Sequence, residues 1–158
     1  KIIELDFEKG FITLLKRLMY KFNTNDYLVR IPLFIIFFWF GILKVINLSP
    51  AQTLVVDTVY WMPFLSAKSW VIVIGYWEML IAIFFMFKRT TFIAMVFLIL
   101  QMSGTFLPLI ILPEVTFQDA NPLLPTLEGQ YIIKNIIIIT AALIIGGSIL
   151  KVGFFVKK

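Results

Sequence analysis

Four long apolar runs, separated by short polar punctuation, set the pattern of this chain. They fall at about 27–46, 69–87, 90–112 and 130–150, each close to the roughly 20 residues a helix needs to cross a bilayer. Stretches such as IIIITAALII are continuously apolar, whereas barrel strands alternate over about ten residues, so the spans are read as helices. The pattern predicts an all-α, polytopic membrane protein: a four-transmembrane-helix bundle over residues 25–158, preceded by an N-terminal segment over 1–24.

That N-terminal segment mixes apolar and charged residues too finely to span. Phe7, Phe11, Leu14, Leu15, Leu18 and Phe22 recur at helical spacing with Lys9, Lys16 and Lys21 elsewhere, which predicts an amphipathic helix lying in the membrane interface. A tail packed on the bundle is the alternative. Asn23 to Asp26 then offers N-cap residues for the first span, and Pro32 falls early enough in it to be tolerated or to kink its first turns. Ser49, Pro50 and Gln52 read as a cap, a first-turn proline and a capping-box partner for a short helix to about Tyr60. Trp61, Pro63 and Phe64 follow as an aromatic interfacial turn. Pro108 is expected to bend the far end of the third span. The connection from 113 to 129 carries Glu114, Asp119 and Glu128, three prolines and no basic residue, and is expected to be ordered.

Composition strengthens the membrane reading and removes much chemistry. The chain has 158 residues, is 61% hydrophobic and has a mean hydropathy of +0.98, where soluble domains are about 45–50% apolar. It contains no His and no Cys, which removes His-ligated haem, thiolate or imidazole zinc sites and cysteine nucleophiles, and no other metal site is read from it. The net charge of +5 does not point to nucleic acid, because the basic residues sit at the ends of the apolar runs. Placing the N-terminus, the Lys88/Arg89 turn and the C-terminus on one side gathers eleven of the fourteen Lys and Arg there, leaving Lys44, Lys68 and Lys134 opposite. By the positive-inside rule, both termini are cytoplasmic. Arg30, Trp61, Trp70, Lys88 and Arg89 are read as membrane anchors.

Candidate chemistry is confined to a few polar residues within the spans. Glu78 stands mid-span with no charge within nine residues on either side. A carboxylate at that depth costs about 2.5–3.5 kcal/mol to insert, so a partner inside the bundle is expected. Lys44, Gln101, Lys134 and Asn135 are the candidates. Small residues share their helical faces: Gly41 with Lys44, Gly75 and Ala82 with Glu78, Ala94 and Gly104 with Gln101, Ala142 and Gly146 with Asn135. Small residues mark close helix contact in membranes, so these faces are expected to meet around a polar pocket opening to the non-cytoplasmic side. Alternatively, a Glu78–Lys44 pair only fixes helix register and Lys134 is an interfacial anchor.

Arg30 with FFWFGILK at 37–44, GYWE at 75–78, QMSGTFLPL at 101–109 and LEGQYIIKN at 127–135 resemble the DoxX-like superfamily of small four-helix bacterial membrane proteins, closest to a branch of unassigned function. The resemblance covers about residues 27–150. It implies a multi-pass protein of the bacterial inner membrane. Other branches of the superfamily are quinone-linked or tied to oxidative-stress responses; the cysteines used for redox work there are missing here.

Two functional expectations follow. One is an accessory component of membrane redox or quinone-linked metabolism or stress response, with Lys44, Glu78, Gln101, Lys134 and Asn135 lining a site for a quinone or lipid, and with no catalytic activity of its own. The other is a structural subunit that anchors or stabilises a larger membrane assembly, so that other membrane subunits are its partners besides the bilayer. A small proton-coupled carrier using Glu78 is a third class, but no inverted repeat or broken helix supports it.

Overall fold

The computed structural model describes residues 27–155, with side chains described as far as residue 146. The interfacial helix expected over 1–24 lies outside the described residues. Four helices are long and apolar enough to cross a membrane, and the described residues contain no β-strand. The chain is therefore an all-α, multi-pass membrane protein, as its apolar runs predict.

The first span is α1 (Tyr27–Val45), followed by the short α2 (Gln52–Val59) and the second span α3 (Ala67–Met86). A 3-10 turn at Lys88–Thr90 leads into α4 (Thr91–Phe106), continued beyond a break by α5 (Pro108–Ile111). The connection holds α6 (Pro113–Thr116) and a 3-10 turn (Gln118–Ala120), and α7 (Leu127–Phe155) is the last span. Pro108 is the cause of the break: it cannot donate to the helical ladder, and the chain closes a tighter Leu107-to-Gly104 bond just before it.

Each span buries one stripe at three- and four-residue spacing. In α1 the stripe is Arg30, Leu33, Phe37, Gly41 and Lys44; in α3 it is Val71, Gly75, Glu78, Ile81, Ala82 and Phe85. The opposite faces carry large apolar residues such as Ile35, Trp39, Leu80 and Ile83, all exposed, which suits lipid and not water. The inner faces of all four spans meet in a core of Leu33, Phe37, Ile81, Phe85, Leu98, Met102, Ala142 and Ile145. Among the described residues, contact is most extensive between α1 and α3, continues from α3 to α4 and from α4 to α7, and is sparse between α7 and α1.

The close approach of α1 to α3 has a definite origin. A Cβ added at Gly41 would stand 2.6 Å from the Gly75 carbonyl oxygen, and one added at Gly75 would stand 2.7 Å from that of Gly41. The two backbones touch where no side chain intervenes. Gly104 differs from the expectation of a contact glycine, because a Cβ there would meet nothing within 4 Å and the residue itself is exposed.

Helix ends are closed locally. Asn47, with φ 57°, occupies the left-handed position after α1, and the Asn47-to-Lys44 and Leu48-to-Leu43 bonds form a Schellman motif. Ser66 caps α3 by accepting from the Ser69 amide at 3.2 Å, so this span starts at Ala67, two residues before the apolar run suggests. The capping box expected at Ser49 does not form: Ala51 is the N-cap without a side-chain bond, and Gln52 reaches Asn47 instead. The acidic connection is ordered by a Thr126-to-Thr116 backbone bond, a bridge between Phe117 and Pro125, and a Thr126 hydroxyl that donates to the Val115 carbonyl and accepts from the Gly129 amide.

Gly41→Ala and Gly75→Ala should each destabilise the protein by about 1–3 kcal/mol, since backbone faces the new methyl on both sides. Gly104→Ala, with open space for its methyl, should be neutral or slightly stabilising. Thermal unfolding in detergent measures all three.

Candidate functional site

The helices bring Lys44, Glu78 and Gln101 together from three different spans. The Lys44 ammonium donates to one Glu78 carboxylate oxygen at 2.7 Å, and the Gln101 amide donates to the other at 3.1 Å. Lys44 and Glu78 are 7% and 8% exposed, so the pair is almost sealed from its surroundings.

The sequence places Lys44 close to the end of its span and Glu78 about midway along the next, and the structure shows how they meet. Gly41 and Gly75 fix a common level. From that level, α1 runs about 6 Å to its end, whereas α3 extends about 12 Å back to its start at 1.5 Å per residue. The end of α1 is therefore sunk about 6 Å relative to the start of α3, and α2 packs on α3 there. Lys44 and Glu78 lie three residues from their glycines in opposite directions, an axial gap of about 9 Å. Helical side chains lean toward their own N-terminus, and in an antiparallel pair that turns Lys44 and Glu78 toward each other. A Cβ added at Gly75 would lie 3.0 Å from the Lys44 Cβ, so the glycine also leaves room for the lysine stem.

Beside the cluster, Trp77 stacks on Phe97 with ring centroids 4.4 Å apart and donates its indole N–H to the Phe97 carbonyl at 3.2 Å. Trp77 precedes Glu78 and Phe97 lies one turn from Gln101, so this contact sets the register that puts the amide on the carboxylate.

The other two proposed pocket residues do not join. Lys134 is exposed, with its ammonium 4.7 Å from the centroid of the Tyr131 ring on its own helix. Asn135 is half-buried on the inner stripe of α7 that includes Ile132 and Ala142, with no hydrogen-bond partner among the described residues. These two neighbours on one helix face different surroundings because adjacent helical positions are about 100° apart.

Among the residues read as anchors, Trp61, Lys88 and Arg89 are exposed and Trp70 is half-buried. Arg30 requires correction. It is fully buried, and its guanidinium donates to the Phe85 carbonyl at 2.6 Å and to the Thr91 hydroxyl at 2.7 Å. Phe85 is in the last turn of α3, where carbonyls lack helical partners and a cation is favoured by the helix dipole. The neighbouring carbonyls of Phe84 and Phe87 are met by the hydroxyls of Thr90 and Thr91. Arg30 thus closes the end of α3 and ties it to α1 and α4. Its place on the stripe of Leu33, Phe37, Gly41 and Lys44 is the signal that distinguishes it from a lipid-facing cation.

Removing one member of the central pair should cost about 3 kcal/mol or more, because the other stays buried without its counter-charge. Glu78→Gln is expected to show this, and the double variant Lys44→Met/Glu78→Gln should be no less stable than Glu78→Gln alone, measured by unfolding in detergent. Arg30→Lys should lose about 1–3 kcal/mol, since one ammonium on a shorter stem does not reproduce both bonds; Arg89→Lys should change little in the same assay.

Comparison of the chain with family models, with curated proteins and with solved structures returns no match.

Proposed function

We propose that this small integral membrane protein is an accessory component of membrane redox metabolism or stress response, and that the Lys44–Glu78–Gln101 cluster is its site for a quinone or lipid headgroup. The observation that carries this reading is a carboxylate held within the bundle by one ammonium and one amide from two other helices. Both donors are of the kind that binds a carbonyl oxygen, and the Trp77–Phe97 stack beside them offers a flat aromatic neighbour. Quinone-linked chemistry is suggested by the likeness to DoxX-like proteins. With no His or Cys in the chain, electrons would pass through a partner protein. The same likeness and the distribution of basic residues favour the bacterial inner membrane with both termini in the cytoplasm.

A second reading is a structural subunit that anchors or stabilises a larger assembly. It is favoured by the closure of the cluster on itself, since both Glu78 oxygens already have donors and the pair is nearly sealed. A buried pair of this kind specifies register more than it adds stability.

Purification from native membrane in mild detergent, with mass spectrometry of proteins and bound small molecules, separates the two. A quinone or lipid retained by the native protein and lost on Glu78→Gln supports the headgroup site. Stoichiometric protein partners with no such ligand, unchanged by that substitution, support the structural subunit.

A further inference from the structure

One charge on the lipid-facing side of α7 takes no part in holding the bundle together. Lys134 is exposed and lies about 10 Å along the axis from Leu127, at 1.5 Å per residue. Gln130, Lys134, Ile137, Ala141 and Ile144 recur at three- and four-residue spacing on one side of the helix, turned away from the inner residues Ile132 and Ala142. All of them except the half-buried Ala141 are exposed. This side is polar toward the start of α7, where the span meets the membrane surface, and apolar below it. It has the profile of an amphiphile lying along the helix.

An ammonium facing lipid at this depth is costly unless it reaches the headgroup layer. The Lys134 side chain is aimed there: its ammonium sits 4.7 Å from the centroid of the Tyr131 ring, one turn nearer the membrane surface. The ring holds the charge by a cation–π contact and leaves three N–H donors for an anion. No carboxylate takes them among the described residues, in contrast to Lys44 with Glu78. Glu128, the nearest acid along the chain, lies about 120° round the helix. The side chains that are not described join the chain far from Lys134: α1 begins at Tyr27, at the opposite end of the bundle from the start of α7, and Gly146 is about 18 Å along α7. A second copy packed symmetrically on this side would set Lys134 against Lys134, like charges in a medium that screens them poorly. A phospholipid matches it instead, since its phosphate accepts charge-assisted bonds from the ammonium and its acyl chain continues in the direction of the isoleucines.

We infer that a membrane phospholipid binds along this side of α7, with its phosphate on the Lys134 ammonium and an acyl chain over Ile137, Ala141 and Ile144. The Tyr131 ring is the platform that orients the ammonium. This site is distinct from the Lys44–Glu78–Gln101 cluster and does not rest on the reading of that cluster.

The test uses the full chain purified in phospholipid-free detergent, with dioleoyl phosphatidylglycerol added in mixed micelles as probe. Binding is read by native mass spectrometry and by the rise in Tm that bound lipid produces. Lys134→Met is expected to weaken binding about tenfold, the worth of one charge-assisted hydrogen bond. Before lipid is added it should melt close to the unmodified protein, because no carboxylate partner is lost. Lys134→Arg, which keeps the charge and offers phosphate a planar fork, should restore binding. Lys68→Met, which removes the exposed lysine at the start of α3, should leave it unchanged. Full binding in Lys134→Met, or no binding in the unmodified protein, overturns the inference. Loss in Glu78→Gln instead assigns the lipid to the buried cluster and overturns it as well. An equal rise in Tm with inorganic phosphate alone identifies a free anion as the ligand and overturns the assignment to a lipid.

Discussion

A carboxylate in the middle of an apolar helix must be given donors from inside the protein, and the arrangement of the first three spans meets that requirement. Glu78 receives Lys44 from one neighbour and Gln101 from another. The ion pair forms only because α1 and α3 run antiparallel at backbone contact, with Gly41 and Gly75 facing each other between the charged residues. Close approach, register and charge pairing are thus one constraint seen three ways. Widening the helices by a methyl group, or slipping one by a residue, would separate the charges in an environment that screens them poorly.

The opposite end of the same helix pair is governed by the same physics with a backbone acceptor. Arg30 lies four turns before Lys44 on the buried stripe of α1, and it completes the last turn of α3 by bonding the Phe85 carbonyl. Thr90 and Thr91 serve the adjacent carbonyls, so the short turn at Lys88–Thr90 reverses the chain without leaving the end of α3 open. Cations therefore fasten α1 to α3 at two levels. Membrane helices gain little from apolar association with one another, and specific polar bonds and backbone contact take over the role of fixing their arrangement.

Much of this was legible in the sequence, and the misses have physical causes. The four spans follow from apolar length alone, and the pairing of Glu78 with Lys44 follows from the cost of an isolated charge together with shared glycine faces. Lys134 could not be separated from Lys44 by that logic, because azimuth on α7 depends on which face packs, and the Ile-rich run around it gives no contrast between faces. Arg30 has the sequence position of an anchor, since cations near the end of a span usually snorkel to the interface; its place among buried neighbours at three- and four-residue spacing turns it inward instead. Gly104 fails the small-residue rule for the opposite reason: it shares a face with Gln101 and Ala94 but stands at the exposed edge of that face, where a Cβ would meet nothing. The capping box at Ser49 was displaced by the Schellman closure of α1, which turns the chain through Asn47 and draws Gln52 to it.

The arrangement of the first three spans rests on the contact between Lys44 and Glu78, and solid-state NMR of the protein in lipid bilayers addresses it directly. With nitrogen-15 at the lysine side chains and carbon-13 at the glutamate carboxyls, the dipolar coupling between Lys44 Nζ and Glu78 Cδ should correspond to a direct ion pair, consistent with the 2.7 Å bond in the structure. A Lys44 ammonium coupled instead to lipid phosphorus, with no coupling to Glu78, would contradict the account.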